Sequence, residues 1–283
     1  MVIKKINIIL FIFLILFNLS CSKKIEKKSI ITEKSIDMQI LESWNEGLKE
    51  LEAGDALFAA KKFNEVEILF PQSDWAPKST LMAAYAYYSQ DYYFDTIEEI
   101  KIFFRKYPGH KDSDYANFLM GMAYYEQIVD EKKDLNSIVM AKIQFEKVVK
   151  NYPNTDYALD AKFKLDLIAD ILASKEVYLG RYYFQKKKWI PAINRFKTVI
   201  KDYGTTIYVE ESLHRLVEIY YIIGLTEESK KYAQLLGYNY QSSKWYEKSY
   251  SFFDKEYERN KKDQKKEDNI LIKKFKSLFE LDE

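Results

Sequence analysis

Histidine and cysteine, the side chains that most often bind metals or act as catalytic bases and nucleophiles, are scarce in this 283-residue chain. There are two histidines, His110 and His214, and one cysteine, Cys21. A structural or catalytic metal centre usually needs three or four such ligands close together. The sequence therefore predicts no metal site and no cofactor.

Two glutamate-rich stretches are the other candidates for chemistry, because paired carboxylates can act as general acid and general base. They are "EVEIL", which begins at Glu65, and "DTIEEI", which begins at Asp95. Both have helical spacing, but no nucleophile, metal ligand or glycine-rich loop stands beside them. We predict that both are solvated helix faces and that the protein is not an enzyme.

Cys21 ends the opening stretch "MVIKKINIILFIFLILFNLSC". Lys4 and Lys5 precede an apolar run at residues 6–19, which is too short for a membrane span of roughly twenty residues but suits a secretory signal. The end of the run resembles a lipobox, although Asn18 stands where leucine is usual. This predicts a lipoprotein signal peptide at residues 1–20 and lipid attachment at Cys21; the alternative is an ordinary signal peptide followed by a free thiol. Ser22, in place of the aspartate that commonly retains lipoproteins at the inner membrane, implies the outer membrane.

The composition favours a helical protein without a nucleic-acid partner. Only 8 Gly and 5 Pro occur, and the 44 Lys and Arg nearly balance the 43 Asp and Glu. Turn-rich sheet proteins need more Gly and Pro, and a nucleic-acid surface needs an excess of positive charge. Residues 21–36, which are polar and rich in lysine, are predicted to be a flexible tether.

A joint consisting of an aromatic residue and a turn-forming residue occurs five times, with spacings of 37, 45, 51 and 37 residues. Twelve residues before each turn-forming residue stands a small residue, and eight before the first four stands a bulky apolar one. The joints are Phe70-Pro71, Tyr107-Pro108, Tyr152-Pro153, Tyr203-Gly204 and Tyr240-Gln241; the small residues are Ala59, Thr96, Ala141, Ala192 and Ser229; the bulky ones are Phe63, Ile100, Phe145 and Phe196.

These offsets place the small and bulky residues on one helix face. A second set of small residues further upstream (Gly47, Ala84, Gly121 and Gly180) predicts a partner helix that approaches closely. A helix pair in each unit of about 34–37 residues is the tetratricopeptide pattern. We therefore predict an all-α fold: a tetratricopeptide superhelix of about five helical hairpins over residues 37–253. At the third joint, Pro153 should end one helix and Thr155 should cap the next.

The longer spacings predict two insertions. One falls around "VDEKKDLNS", and the other extends the run from Asp156 to Gln185, which reads as one long helix or two nearly continuous ones. Residues 254–283 are predicted to be a charged tail. Its end places Ile272, Phe275 and Phe279 on one face of a short amphipathic helix, which would dock on a partner or membrane, or fold back over the end of the array.

Several stretches resemble the BamD family, the tetratricopeptide lipoproteins of the β-barrel assembly machinery. They include "YANFLMGMAYYEQ", "FEKVVKNYPNTDYALDAKFKL" and "LGRYYFQKKKWIPAINRFKTVIKDY", and the resemblance covers roughly residues 41–253. It implies a scaffold that faces the periplasm from the outer membrane. The implied partners are the POTRA domains of the barrel insertase BamA, other Bam lipoproteins and unfolded outer-membrane proteins. The alternative function is another periplasmic tetratricopeptide adaptor, one that coordinates envelope constriction or peptidoglycan synthesis.

The resemblance also singles out individual residues. Arg105 and Arg195 match family arginines linked to contacts within the machinery. From the repeat register, and not from the resemblance, Tyr183 is expected to pack in the core and Tyr182 to be exposed for partner binding. Phe70 matches a family tyrosine implicated in substrate recognition but lacks the hydroxyl, so it is either a substrate contact or a packing aromatic. From the residues alone, His214 is either a pH-sensitive contact or an ordinary helix histidine that is partly buried or on the surface.

Overall fold

The computed structural model describes residues 34–128 and 135–254. Within these ranges the regular elements are all helices: α1 Ile36–Glu52, α2 Ala56–Leu69, α3 Ala76–Tyr88, α4 Tyr93–Lys106, α5 Ser113–Glu126, α6 Asn136–Asn151, α7 Asp156–Gln185, α8 Trp189–Asp202, α9 Val209–Ile222, α10 Thr226–Asn239 and α11 Lys244–Tyr250. The predicted signal peptide, Cys21, most of the tether, most of the first insertion and the tail lie outside the described residues.

The helices form five successive hairpins, α1–α2 through α9–α10, followed by the short α11. The prediction of an all-α tetratricopeptide array is confirmed for the part of the chain that the structure describes. The run from Asp156 to Gln185 is one continuous helix of 30 residues, which settles the alternative left open by the sequence. Contacts separate a first unit that ends at Glu42 from a second unit that begins at Ser43, and the features below belong to the second unit.

The five joints share one backbone geometry. At each, the aromatic residue ends the second helix of a hairpin with φ between −126° and −140° and ψ between 38° and 62°. Its N–H donates to the carbonyl four residues earlier, and its carbonyl accepts from the N–H three residues later. At the third joint, Thr155 caps α7 by accepting a hydrogen bond from the N–H of Ala158 at 3.2 Å, as predicted. The repeated sequence at the joints therefore encodes a repeated turn.

The hairpins are held by close contact between a small residue on the first helix and a large one on the second. The bulky residues Phe63, Ile100, Phe145 and Phe196 are fully buried. A Cβ atom added to Gly121 or Gly180 would lie 2.7 Å from the ring of Phe145 or Phe196, respectively, and Gly47 meets Phe63 in the same way. Glycine is required at these three positions because the ring occupies the space of the methyl group.

The second hairpin solves the same packing problem with a different pair. Ala84 takes the glycine position and Ile100 takes the phenylalanine position, and both are fully buried in one core cluster. The added methyl group on one helix is matched by a smaller side chain on the other. Total core volume is therefore conserved at this contact while its members change.

Replacing Gly180 with alanine should destabilise the fold, although alanine is the better helix former by about 1 kcal/mol. Overpacking against the buried ring of Phe196 should outweigh that gain and lower the free energy of unfolding by about 1–3 kcal/mol, measured by chemical denaturation. The double variant Gly180→Ala/Phe196→Ile copies the second hairpin and should recover part of the loss. A Gly180→Ala protein as stable as the parent would contradict the close-contact model.

Candidate binding surfaces

The first helices of four successive hairpins line one groove of about 540 Å³, here called the N-terminal groove. The lining side chains come from α1, α3, α5, α7 and the joint before α5: Trp44, Lys78, Leu81, Met82, Lys111, Asp112, Asp114, Tyr115 and Tyr157. Because each joint returns the chain to the start of another first helix, residues far apart in sequence become neighbours here. The groove is therefore a direct product of hairpin stacking.

Aromatic contacts form much of this surface. The rings of Tyr115 and Tyr157 lie 5.5 Å apart, and Tyr157 also packs 5.4 Å from Phe118. At the other end, Trp44 packs edge-on against Trp75 at 5.0 Å. Such tilted and edge-on pairs fix ring orientation as well as burying area, so the groove has a rigid aromatic lining.

The polar groups of the groove are suited to peptide binding. Burial raises the pKa of Tyr115 far above its ordinary value, so its phenol is neutral at physiological pH. Lys78 and Lys111 supply positive donors, while Asp112 and Asp114 supply acceptors. Aromatic and apolar side chains beside such donors and acceptors can hold an extended segment by its side chains and its backbone.

Sequence reasoning missed the residues of this groove, although a signal for some of them was present. Trp44 and Leu81 stand three residues before the small residue of their helix, Gly47 or Ala84. Lys78 stands six residues before Ala84, and Tyr115 occupies the corresponding place before Gly121 in the next hairpin. These two offsets therefore identify groove positions on α1, α3 and α5.

A second groove, of about 380 Å³, lies at the end of the last hairpin and is here called the terminal groove. It is lined by one side of α10, by α11 and by the residues after each: Lys230, Ala233, Gln234, Gly237, Tyr238, Gln241, Tyr246, Tyr250 and Phe253. Its wall includes the contact between Tyr246 and Gly237, where an added Cβ would lie 2.7 Å from the ring.

The predicted site residues line neither groove. Arg105 is exposed on α4 and makes no hydrogen bond or ion pair with a described residue. Arg195 on α8 is partly exposed, and its guanidinium lies 3.0 Å from the carboxylate of Glu176 on α7. Arg105 and Arg195 occupy the second and fourth hairpins, so the third hairpin separates them along the chain.

Tyr182 and Phe70 differ in how they are held. Tyr182 is half-exposed and packs edge-on against Tyr183 at 5.5 Å. Tyr183 packs against the core of the last two hairpins. The prediction that one tyrosine of the pair packs and the other is exposed is confirmed. Phe70 is half-buried and ends α2 with the same geometry as the other four joint aromatics. Its position is that of a joint residue, and its role in substrate binding stays a prediction.

The glutamate-rich stretches are not both solvated, contrary to prediction. Glu67 is buried, with 6% of its surface exposed, and its carboxylate binds the Lys106 ammonium at 2.6 Å and the Tyr107 hydroxyl at 3.2 Å. Burial raises the pKa of Glu99, and a hydrogen bond from Asn64 to its carboxylate partly offsets that increase. The covering groups lie in the neighbouring hairpin, about forty residues away in sequence, so the local pattern could not reveal them.

His214 is also more buried than either reading of the sequence expected, with 5% of its surface exposed. Its Nδ1 lies 2.8 Å from the Ser249 hydroxyl, which donates in turn to the Trp245 carbonyl at 2.9 Å. Burial first, and then the positive charges of Arg215 and Lys248, lower the pKa of His214 to about 4; Glu211 opposes them. The uncharged imidazole links α9 to α11 through its hydrogen bond with Ser249. It does not change charge near neutral pH.

Stability should fall as the pH is lowered through the titration of His214. Its pKa is about 4 in the folded chain and about 6.5 when unfolded, so its contribution is complete above pH 6.5 and is lost as pH falls towards 4. The loss is at most about 3 kcal/mol, measured by denaturation at a series of pH values. His214→Gln should flatten this part of the profile, whereas His110→Gln should leave it in place; equal slopes in all three proteins would contradict the assignment.

Among the described residues, no helix is both long and apolar enough to cross a bilayer, and no cluster of three acidic, histidine or cysteine side chains is arranged to hold a metal.

Solved structures similar to the chain include the MamA protein, at 19% identity and a TM-score of 0.36, covering 71% of this chain and 91% of that one. Another is the TPR2AB domain of yeast Sti1 in complex with pHSP90, at 14% identity and a TM-score of 0.42, covering 75% of this chain and 82% of that one.

Sequence comparison carries the family assignment. The family model YfiO, described as "Outer membrane lipoprotein", matches residues 36–235. The protein named outer membrane protein assembly factor BamD is 38% identical in Caulobacter vibrioides, over 81% of this chain and 74% of that protein. The protein of the same name in Rickettsia prowazekii is 39% identical, over 73% of this chain and 82% of that protein. With five tetratricopeptide hairpins in the described chain and this similarity across most of its length, the protein belongs to the BamD family of outer-membrane lipoproteins.

Proposed function

We propose that this protein is a lipid-anchored scaffold for the assembly of outer-membrane β-barrels. It binds unfolded outer-membrane proteins and the POTRA domains of a barrel insertase, and brings the two together beside other lipoproteins of the machinery. The names of the relatives, outer membrane protein assembly factors, support this role. Lipid attachment at Cys21 holds the chain at the periplasmic face of the outer membrane, since two or more acyl chains give stable anchoring.

The N-terminal groove is the observation that best supports substrate binding. An unfolded outer-membrane protein presents extended segments with alternating aromatic side chains and unpaired backbone groups. The rings of Trp44, Tyr115 and Tyr157 offer stacking surfaces, while Lys78 and Lys111 can donate to backbone carbonyls. A rigid aromatic lining spares much of the ordering cost of binding, which suits repeated, reversible capture of substrates.

We infer that the insertase binds the later hairpins, where Tyr182 and Arg195 lie, because the resemblance to the family implies this division of the array. Both side chains are partly exposed on α7 and α8. Arg195 would exchange its carboxylate partner, Glu176, for one on the insertase. Arg105, which is exposed on the second hairpin, provides a separate cationic contact.

Depletion of this protein in its native organism tests the proposed function directly. The abundance of outer-membrane barrels, quantified by mass spectrometry, should fall before cell shape changes. Normal barrel levels together with failed constriction or altered peptidoglycan would reject the proposal and favour the adaptor function. Complementation with Cys21→Ser should fail to restore barrel levels, because the unanchored chain leaves the membrane.

Met82→Glu should weaken binding of an unfolded segment, because it places a charge at an apolar, partly buried position of the groove lining. The affinity of a synthetic peptide carrying a β-signal, measured by fluorescence anisotropy, should fall at least about tenfold, or roughly 1.4 kcal/mol. Ile190→Glu is the matched control: Ile190 is exposed to 74% on α8, outside both grooves. Equal affinities of the two variants would remove the groove from the proposal.

Arg195 should contact the insertase directly, and a charge swap separates this role from its internal ion pair. Arg195→Glu should abolish co-purification with the POTRA-bearing insertase. Arg195→Glu/Glu176→Arg restores the pair between α7 and α8 but leaves a negative charge at position 195, so binding should stay lost. Recovery of binding in the double variant would show that Arg195 acts only through the fold.

A further inference from the structure

In the part of the chain that the structure describes, α10, the second helix of the fifth hairpin, is covered by a shorter helix than the second helices before it. In the first four hairpins, the helix after the joint has 13, 14, 30 and 14 residues. After the fifth joint comes α11, which has 7 residues. In a solenoid each unit buries its apolar face against the next one, so the last unit needs a cap. Among the described residues, α10 is therefore covered by a helix of about half the usual length.

The terminal groove lies where that cover falls short. Its lining is mostly apolar and aromatic, with Ala233, Gly237, Tyr246 and Phe253 among its members. Tyr238 at its edge is 85% exposed. A tyrosine so exposed beside further aromatic residues is the arrangement expected where another apolar element packs.

The chain itself supplies an apolar element from the rim of this groove. Phe253 lines the groove, and the described residues end one position later. Beyond them, the sequence at residues 270–281 reads "ILIKKFKSLFEL". On a helix, five of its seven apolar side chains would form one stripe, with Lys273 and Ser277 on the opposite face: Leu271, Ile272, Phe275, Leu278 and Phe279.

We propose that residues 270–281 fold back into the terminal groove as an amphipathic helix and complete the cover of α10. The segment would be about 18 Å long as a helix, and its stripe would add Phe275 and Phe279 to the aromatic side chains that line the groove. Lysines at positions 273, 274 and 276 remain in solvent. This inference concerns the end of the fold and does not depend on the proposed function.

The intervening chain permits this return. Residues 255–269 separate Asp254 from the segment, and fifteen residues can span about 50 Å when extended. A short tether also raises the effective concentration of the segment at the groove to the millimolar range. A membrane surface or a partner protein must compete against that local concentration.

Disulfide cross-linking in the full chain tests the placement, because Cys21 is the single cysteine and Cys21→Ser removes it. In that background, Gln234→Cys with Leu278→Cys should form an intramolecular disulfide under mild oxidation. The control pair is Lys186→Cys with Leu278→Cys, since Lys186 does not line the groove. We expect at least a fivefold higher cross-linked fraction for the groove pair, measured by non-reducing electrophoresis and mass spectrometry.

Two further variants test whether the stripe drives docking. Phe275→Asp/Phe279→Asp should reduce the cross-link to the control level and lower the Tm, whereas Lys273→Asp/Ser277→Asp, on the opposite face, should retain the cross-link. Equal cross-linking of the groove and control pairs would overturn the proposal, and disulfide-linked dimers would assign the groove to a second copy. A stripe variant that keeps its cross-link but loses binding to phosphatidylglycerol vesicles would assign the segment to the membrane instead.

Discussion

The close approach of two helices at a residue without a side chain is the contact on which the rest of the structure depends. Gly47, Gly121 and Gly180 each receive the ring of a phenylalanine from the second helix of the same hairpin. The contact sets the distance between the two helix axes and the rotation of each helix about its own axis. Once those are set, the same residues of every hairpin face the core, and hairpins can stack in register. The pair Ala84 and Ile100 shows that volume, rather than residue identity, is what this contact conserves.

The joints between hairpins turn that local contact into a binding surface. Each joint has the same hydrogen bonds and backbone angles, so each returns the chain to the start of another first helix in an equivalent position. Side chains at equivalent positions on α1, α3 and α5 therefore line one groove, although they are more than thirty residues apart in sequence. Most of the repeated residues are structural, and the groove is built from variable positions between them. A scaffold of this kind can change its ligand without changing its fold.

Buried polar groups tie neighbouring elements together at places where the repeat alone would not hold them. Glu67 on α2 binds Lys106 and Tyr107 at the end of α4, so the first hairpin is fixed to the second. His214 and Ser249 tie α9 to α11 at the other end of the array. A buried hydrogen bond of this type contributes little when made but costs more when one partner is removed. These ties specify which surfaces meet, while the apolar core supplies most of the stability.

The sequence by itself determined the class of fold, the approximate number of hairpins, the position of the joints and the core residues that repeat at fixed offsets. These features depend on period, on turn chemistry and on residue size, all of which are local or repeat at fixed offsets. The family followed from the same residues in the same order. What only the tertiary structure decided was the environment of Glu67 and His214, the ion pair of Arg195 with Glu176, and the composition of both grooves. Each of these depends on which side chains meet between packed helices, within a hairpin or across hairpins, and that is set by helix packing rather than by any local pattern.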